Sequence, residues 1–289
     1  MRKLLLPLIA LIYSTATLAE PLFWQATKGK LNYYILGSVH VGDDGMFPLS
    51  KQIMNVLQTS DGLIIETDVR KTQGITYPPA TLLSKDVLTP KQQDELKGIA
   101  NLLEMNAPQL LNSPPWATAL AVQMKQIEYL GYKAAYGVDA HLTYKATVQD
   151  IPVISLESLQ FQIDLLTGQK ESGKELLLSA IEEFDHSEEM THCLIKTWKA
   201  GDIEKLNEFA KLTEMSEEFE TAFLTERNLN WAQQLASPSW SKEKKGTFLM
   251  VVGSLHLVGD NNVLTLLQEG GFKVTQLSKS KPALCEFEY

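Results

Sequence analysis

Short apolar runs alternate along the chain with longer amphipathic stretches. Five runs have the length and continuity of strands that are buried on both faces. They lie at residues 33–36, 62–65, 151–156, 248–252 and 273–277. The last run follows a helix-like stretch at 262–268 and the turn Gly270-Gly271. The recurring order of strand, helix and strand predicts an α/β fold.

Four stretches between these runs have the spacing of apolar residues that helices show. They lie at residues 86–105, 116–130, 174–198 and 201–235. In the first, Thr89-Pro90 supplies a helix cap followed by a first-turn proline. We therefore expect one α/β domain over residues 20–289. Its pseudo-duplicated sheet is mixed or parallel and has flanking helices, with a helical cap inserted at about 86–135 and 174–235.

One motif occurs twice, each time at the end of an apolar run. Gly37-Ser38-Val39-His40 follows the first run and Gly253-Ser254-Leu255-His256 follows the fourth. The glycine permits a close backbone approach, and the histidine then lies at the sheet edge where α/β proteins present chemistry. A single such histidine is most often a satisfied polar residue. Two copies among only five histidines favour a shared site.

Two carboxylates also follow apolar runs directly: Glu66 follows residues 62–65, and Glu157 follows residues 151–156. A buried carboxylate needs a cation, a donor or a metal. We interpret Glu66 as a metal ligand or as the base that activates water. Asp139 and His141, two residues apart in a loop or strand, are a candidate orienting acceptor and a candidate third ligand or ordinary polar residue.

Arg227 is the candidate electrophile, because a guanidinium can stabilise an oxyanion or clamp a substrate carboxylate. It is equally suited to a structural ion pair with Glu157 or Asp139. His186 and His192 superficially resemble a zinc-binding helix, but a separation of six residues places them on different helix faces. We expect both to be solvated. The chain has no nucleophile elbow, no P-loop and no dinucleotide-binding glycine motif.

The N-terminus has the pattern of a cleaved signal peptide. Arg2 and Lys3 precede an apolar run, and small residues ending at Ala19 suit a signal peptidase. Removing residues 1–19 takes away two basic and no acidic residues, so the formal charge falls from −9 to −11 (24 basic against 35 acidic residues). An acidic protein is a poor partner for nucleic acid. The sequence thus predicts a periplasmic or secreted protein without stable membrane insertion.

Two cysteines, Cys193 and Cys285, remain in the processed chain. An oxidising compartment would permit a disulfide between them, but two separately buried thiols are an equal alternative.

Together these motifs resemble the TraB/GumN family, which includes the Tiki proteins and is related to the erythromycin-esterase and ChaN-like folds. The matching segments, which span roughly residues 22–280, are 34–42, 64–66, 137–142, 156–158, 225–228 and 251–259. The resemblance implies an α/β domain with paired histidines and a glutamate in one site. The resemblance to Tiki proteins implies divalent-metal-dependent proteolysis, in which His40, His256 and Glu66 would be metal ligands. ChaN-like relatives imply haem iron instead.

The sequence therefore predicts a metal-dependent hydrolase with a peptide or small-molecule substrate, peptidase being the expected class. Its cofactor would be Mn²⁺, Co²⁺ or Zn²⁺. Glu66 and Arg227 would be catalytic, and Asp139, His141 and Glu157 would support the metal ligands. Two alternatives are a haem- or metal-binding protein without catalysis, and a regulatory protein that sequesters a peptide in a groove formed by residues 174–235. The oligomeric state is left open.

Overall fold

The sheet at the centre of the molecule contains both parallel and antiparallel pairs. A computed structural model of the protein describes residues 19–287. The strands are β1 (Phe23–Lys28), β2 (Lys30–Ser38), β3 (Gly62–Ile65), β4 (Val153–Ser155), β5 (Lys245–Gly253) and β6 (Lys273–Gln276). Their spatial order is β4-β3-β5-β2-β1-β6. Of the two predicted sheet types, the mixed one is therefore correct.

The four strands β4, β3, β5 and β2 are parallel to one another, so their carboxyl ends meet at one edge. β1 pairs antiparallel with both β2 and β6. β2 and β5 are adjacent although they lie near opposite ends of the chain, and Ser38 is opposite Gly253. This pairing brings the two copies of the glycine-serine-histidine motif to neighbouring positions.

Both faces of the sheet are covered, which explains why the central strands are continuously apolar. Leu63 and Ile65 point into one core with Trp198 and Leu142, while Ile64, between them, points into the opposite core. A third apolar cluster lies among the helices that join β3 to β4 and those that follow β4, around Leu96 and Leu177.

The helices flank the sheet and form the predicted helical layer. They are α1 (Lys51–Thr59), α2 (Ser84–Val87), α3 (Pro90–Leu102), α4 (Ala107–Leu111), α5 (Pro115–Tyr129), α6 (Val138–Val148), α7 (Leu159–Thr167), α8 (Lys174–Glu182), α9 (Ser187–Ala200), α10 (Ile203–Leu212), α11 (Glu217–Glu220), α12 (Glu226–Ala236) and α13 (Val263–Glu269). Thr89 caps α3 as predicted, and its hydroxyl accepts from the Gln92 N–H. A π-helical turn, Thr221–Thr225, runs directly into α12.

Three sequence-based expectations need correction. Asp139 and His141 lie in the first turn of α6, not in a loop or strand. The long helices predicted at 174–198 and 201–235 are each broken into shorter ones. The first is interrupted between α8 and α9 by a 3-10 turn, Phe184–His186, and in the second the segment between α10 and α11 is not helical. β1 and α1 were not predicted from the sequence.

Cys193 and Cys285 form a disulfide between α9 and the C-terminal segment, across 92 residues of sequence. The structure thus decides between the two alternatives for these cysteines. The predicted signal peptide, residues 1–19, lies outside the described residues except for its last position. Within residues 19–287, none of the helices combines the length and the apolar character needed to cross a bilayer.

Candidate active site

The two motif histidines lie side by side at the carboxyl edge of the sheet but differ in exposure. His40 follows the end of β2, and its side chain is 64% exposed. His256 lies in a short 3-10 turn, Ser254–Leu257, that follows β5, and it is buried. One histidine therefore faces solvent while its counterpart belongs to the interior of the site.

Gly253 marks the point on which three side chains converge. A methyl group built on its Cα atom would lie 3.3 Å from Glu66 Oε1, 3.6 Å from His256 Cδ2 and 3.9 Å from His40 Nε2. A larger residue here would fill the space between the two imidazoles and the carboxylate. The motif glycine thus leaves room for a close approach, as the sequence predicted, rather than for a left-handed backbone, since its φ is −51°.

Arg227, on α12, connects the charged groups behind this point. Its Nη2 atom donates to Glu66 Oε2 at 2.7 Å and to Glu157 Oε2 at 3.0 Å. Its Nε atom donates to Glu157 Oε1 at 2.9 Å. Nη1 donates to the Phe223 carbonyl at 3.0 Å and lies 3.2 Å from His256 Nε2. All five N–H groups of the guanidinium therefore have partners within the protein.

This saturation bears on the role of Arg227. With no N–H group left over, Arg227 as arranged has none to donate to an oxyanion. Of the alternatives from the sequence, the structure shows the ion pair with Glu157, and it adds a second one with Glu66. Trp231 lies beneath the guanidinium at 4.7 Å and donates its indole N–H to Glu157 at 2.8 Å. Arg227 thus positions the two carboxylates and the inner imidazole.

Glu66 is held in its ionised form. Burial by itself would raise the pKa of this carboxyl. The charges of His256 (once acid protonates it), His40 and Arg227, with the hydrogen bond from the Gly253 N–H, outweigh burial and lower the pKa to about 2. The Gly253 N–H lies 2.7 Å from Oε1, so both carboxylate oxygens are engaged.

His256 is neutral, and its tautomer follows from its neighbours. Burial lowers its pKa to about 4, despite the opposing charge of Glu66. The Asn228 amide nitrogen donates to the Asn261 carbonyl at 3.0 Å, which directs the amide oxygen toward His256 Nδ1 at 2.6 Å. Nδ1 therefore carries the proton, and Nε2 accepts from Arg227.

His40 pairs with Asp139 from the first turn of α6. Its Nδ1 atom lies 3.2 Å from Asp139 Oδ1, which orients the ring and leaves Nε2 directed at the point above Gly253. This hydrogen bond raises the pKa of His40 to about 9. Because the ring is largely exposed, water screens the pair, and we ascribe no stability to it.

The remaining sequence candidates lie elsewhere. His141 stacks on Phe47, with ring centres 4.1 Å apart. His192 meets Tyr132 edge-on at 5.6 Å and is only partly exposed, whereas His186 is exposed. No role was predicted from the sequence for Asn228 or Trp231. The position of Asn228 directly after Arg227 was the available signal.

The donor atoms do not fit a divalent metal with three ligands in this arrangement. His40 Nε2 is accessible, but Arg227 occupies the space at His256 Nε2, and both Glu66 oxygens accept hydrogen bonds. Across residues 19–287, no three histidine, cysteine or acidic side chains are grouped closely enough to hold a metal ion. A cation at all three would require Arg227 to move.

The protein is an α/β protein whose sheet brings two glycine-serine-histidine motifs and a buried glutamate to one edge. The TraB/PrgY/gumN family model matches residues 22–276, and the chain belongs to this family. Two similar proteins are the uncharacterized protein YbaP of Escherichia coli K12 and that of Shigella flexneri. Each is 26% identical over 242 residues, which cover 83% of this chain and 89% of the relative. No solved structure matches the chain.

Proposed function

We propose that this chain is a periplasmic or secreted hydrolase of peptide or related acyl bonds, with His40 and Glu66 as the groups that act at the substrate. One observation carries the proposal: His40 Nε2 and Glu66 Oε1 both lie within 4 Å of one point above Gly253, at a sheet edge where His40 is open to solvent. The disulfide supports an oxidising compartment.

The chemistry follows from the orientation of His40. Asp139 holds the Nδ1–H, so Nε2 of the neutral ring can take a proton from water as the water oxygen attacks the substrate carbonyl carbon. Because the pKa of His40 is about 9, the neutral ring is the minor form at pH 7, and cleavage by this route should increase as the pH rises toward 9. When the carbon–nitrogen bond breaks, the same proton passes to the leaving amine. Glu66 keeps its negative charge and favours the imidazolium that forms between these steps.

A divalent cation, Mn²⁺, Co²⁺ or Zn²⁺, is the cofactor we propose, with His40 and Glu66 as its first protein contacts. Residue chemistry supports this assignment: an imidazole whose other nitrogen meets a carboxylate, beside a second carboxylate, is a common metal-binding arrangement. Glu66, Glu157 and Asp139 outweigh the charges of Arg227 and protonated His40 by one, so added positive charge is favourable here. The hydrolysis outlined above uses protein groups alone and applies to the site without the cation. A cation held by His40 Nε2 would occupy the lone pair that takes the proton, and it would supply the activation of water instead.

Cleavage of a defined peptide mixture, followed by mass spectrometry, tests the proposal. The purified protein is stripped with EDTA and supplied separately with each cation. We expect His40→Ala and Gly253→Ala to reduce cleavage by about 100-fold or more. In Gly253→Ala the side chains of His40 and Glu66 remain, but the added methyl group fills the space between them. His192→Ala is the matched control, since the ring of His192 packs on Tyr132.

Wild-type cleavage rates in both His40→Ala and Gly253→Ala would contradict the assignment of the site, and no cleavage with any cation would contradict the hydrolase. Haem binding and peptide sequestration stay predictions. A haemin titration addresses the first of these, through a Soret shift that depends on His40.

A further inference from the structure

A large cleft lies in the helical layer, apart from the candidate active site. Its volume is about 980 Å³, and it is lined by residues of α5, α8, α9, α10 and α11. Partly buried apolar side chains from several of these helices form its floor, among them Leu178, Met190, Phe209, Met215 and Phe219. A cavity of this size with an apolar floor matches the dimensions of ligand-binding clefts.

The rim of the cleft is acidic. Six glutamates and two lysines line it, a formal charge of −4. Lys174 is already paired with Glu171. Among the described residues, Glu183, Glu214 and Glu218 form no salt bridge, and the last two are exposed. An occupant that meets both floor and rim needs apolar side chains on one face and cationic groups on the other.

We propose that this cleft binds a cationic amphipathic polypeptide segment, with its apolar face on the floor and its lysine or arginine side chains at the glutamates. A helix laid in a groove between helices is the established form of such recognition. Simple cations would not use the floor, and an anionic membrane surface would be repelled by the rim. This binding does not depend on the proposed hydrolase activity.

The cleft is connected to the active site through aromatic stacking. Phe219 lines the cleft and stacks on Phe223, with ring centres 4.0 Å apart. Phe223 belongs to the π-helical turn, and its carbonyl accepts from Arg227. A segment bound at Phe219 therefore lies two contacts away from the guanidinium. π-Helical turns of this kind are frequent at functional sites.

Fluorescence anisotropy with three labelled peptides tests the proposal. One contains lysine and leucine in a helical amphipathic pattern. In the second, serine replaces leucine, and in the third, glutamate replaces lysine. We expect the intact protein to bind only the first peptide, and added salt to weaken binding.

Two variants locate the binding. Replacing Glu183, Glu214 and Glu218 with glutamine should weaken the affinity for the lysine-leucine peptide by about tenfold. The control variant carries Glu104→Gln and Glu269→Gln, at exposed acids outside the cleft, and its affinity should be unchanged. Ser179→Trp fills the cleft and should abolish binding. Circular dichroism and thermal unfolding verify that each variant is folded. Equal binding of the lysine-serine peptide, unchanged affinity of folded Ser179→Trp, or no binding of the lysine-leucine peptide would overturn the proposal.

Discussion

Arg227 Nη1 lies 3.2 Å from His256 Nε2, so the nitrogen that this buried histidine would offer to a metal already faces a guanidinium. Glu66 and Glu157 flank the same guanidinium. The inner half of the site is therefore a closed ionic network. Its open half consists of His40 and the space above Gly253.

The first prediction concerns the stability of this network. Arg227→Met removes the cation that two buried carboxylates share and leaves both unpaired. We expect a loss of about 3–5 kcal/mol in the free energy of unfolding, measured by urea denaturation. Lys91→Met breaks an exposed ion pair with Glu95 and should cost less than about 1 kcal/mol. Equal losses in the two variants would contradict this account of Arg227.

The second prediction concerns the hydrogen bond that sets the tautomer of His256. Asn228→Asp places a carboxylate where the amide oxygen now lies, 2.6 Å from Nδ1. Because an anion there stabilises the imidazolium, the pKa of His256 should rise from about 4. NMR titration of the histidine ring signals measures the shift. Asn262→Asp, which changes a helix cap instead, is the control; a shift of the same size in that variant would refute the local effect.

The third prediction concerns acid stability. His256 has a pKa of about 4 in the folded protein, below its ordinary value of 6.5. Between these two values the unfolded chain binds a proton that the folded chain does not, so stability falls as the pH decreases from 6.5 to 4. The contribution is on the order of 3 kcal/mol. Glu66 adds a second loss as the pH falls from 4.5 to 2.

Urea unfolding at pH 7, 6, 5 and 4 measures this dependence. His256→Gln should flatten the profile between pH 6.5 and 4, whereas His192→Gln should leave its slope intact. If the stability of His256→Gln fell with pH as steeply as that of the wild type, groups other than His256 would cause the loss of stability in acid.

The sequence determined much of the sheet because the central strands are buried on both faces. Each of these strands is a continuous apolar run, and the polar residue that follows it, such as Glu66 or His40, then lies at the sheet edge. β1 lacks this signal, since only Phe23 and Ala26 in it are buried. The helical position of Asp139 was missed because the cap at Gly137 provides no side-chain hydrogen bond.

Contacts between residues that are distant in the sequence could not be predicted from local patterns. Neither the saturation of Arg227 by five acceptors nor the Asn228–Asn261 contact has a periodic signature. Arg227 meets Glu66 across 161 residues of sequence. The cysteines pose the same problem, because a pairing across 92 residues depends on where α9 and the C-terminal segment pack. Motif order identified the members of the site, but only tertiary packing defined their contacts.

The last prediction concerns the disulfide. Its loop of about 92 residues restricts the unfolded chain, so the double variant Cys193→Ala and Cys285→Ala should lose at most about 4–5 kcal/mol by the chain-entropy model. Urea unfolding with and without a reductant measures this, and the reductant should destabilise only the wild-type protein.

The same bond anchors a C-terminal segment that supports the cleft. Phe287 packs on Phe209, a residue of the cleft floor, with ring centres 5.3 Å apart, and Glu286 pairs with Lys205. Loss of the disulfide should therefore expose this segment to limited proteolysis and weaken binding of the lysine-leucine peptide. The proposed peptide cleavage should change less, because no contact joins His40, Glu66 or Arg227 to the segment among the described residues. A double variant as stable and as protease-resistant as the wild type would show that packing alone holds the C-terminal segment in place.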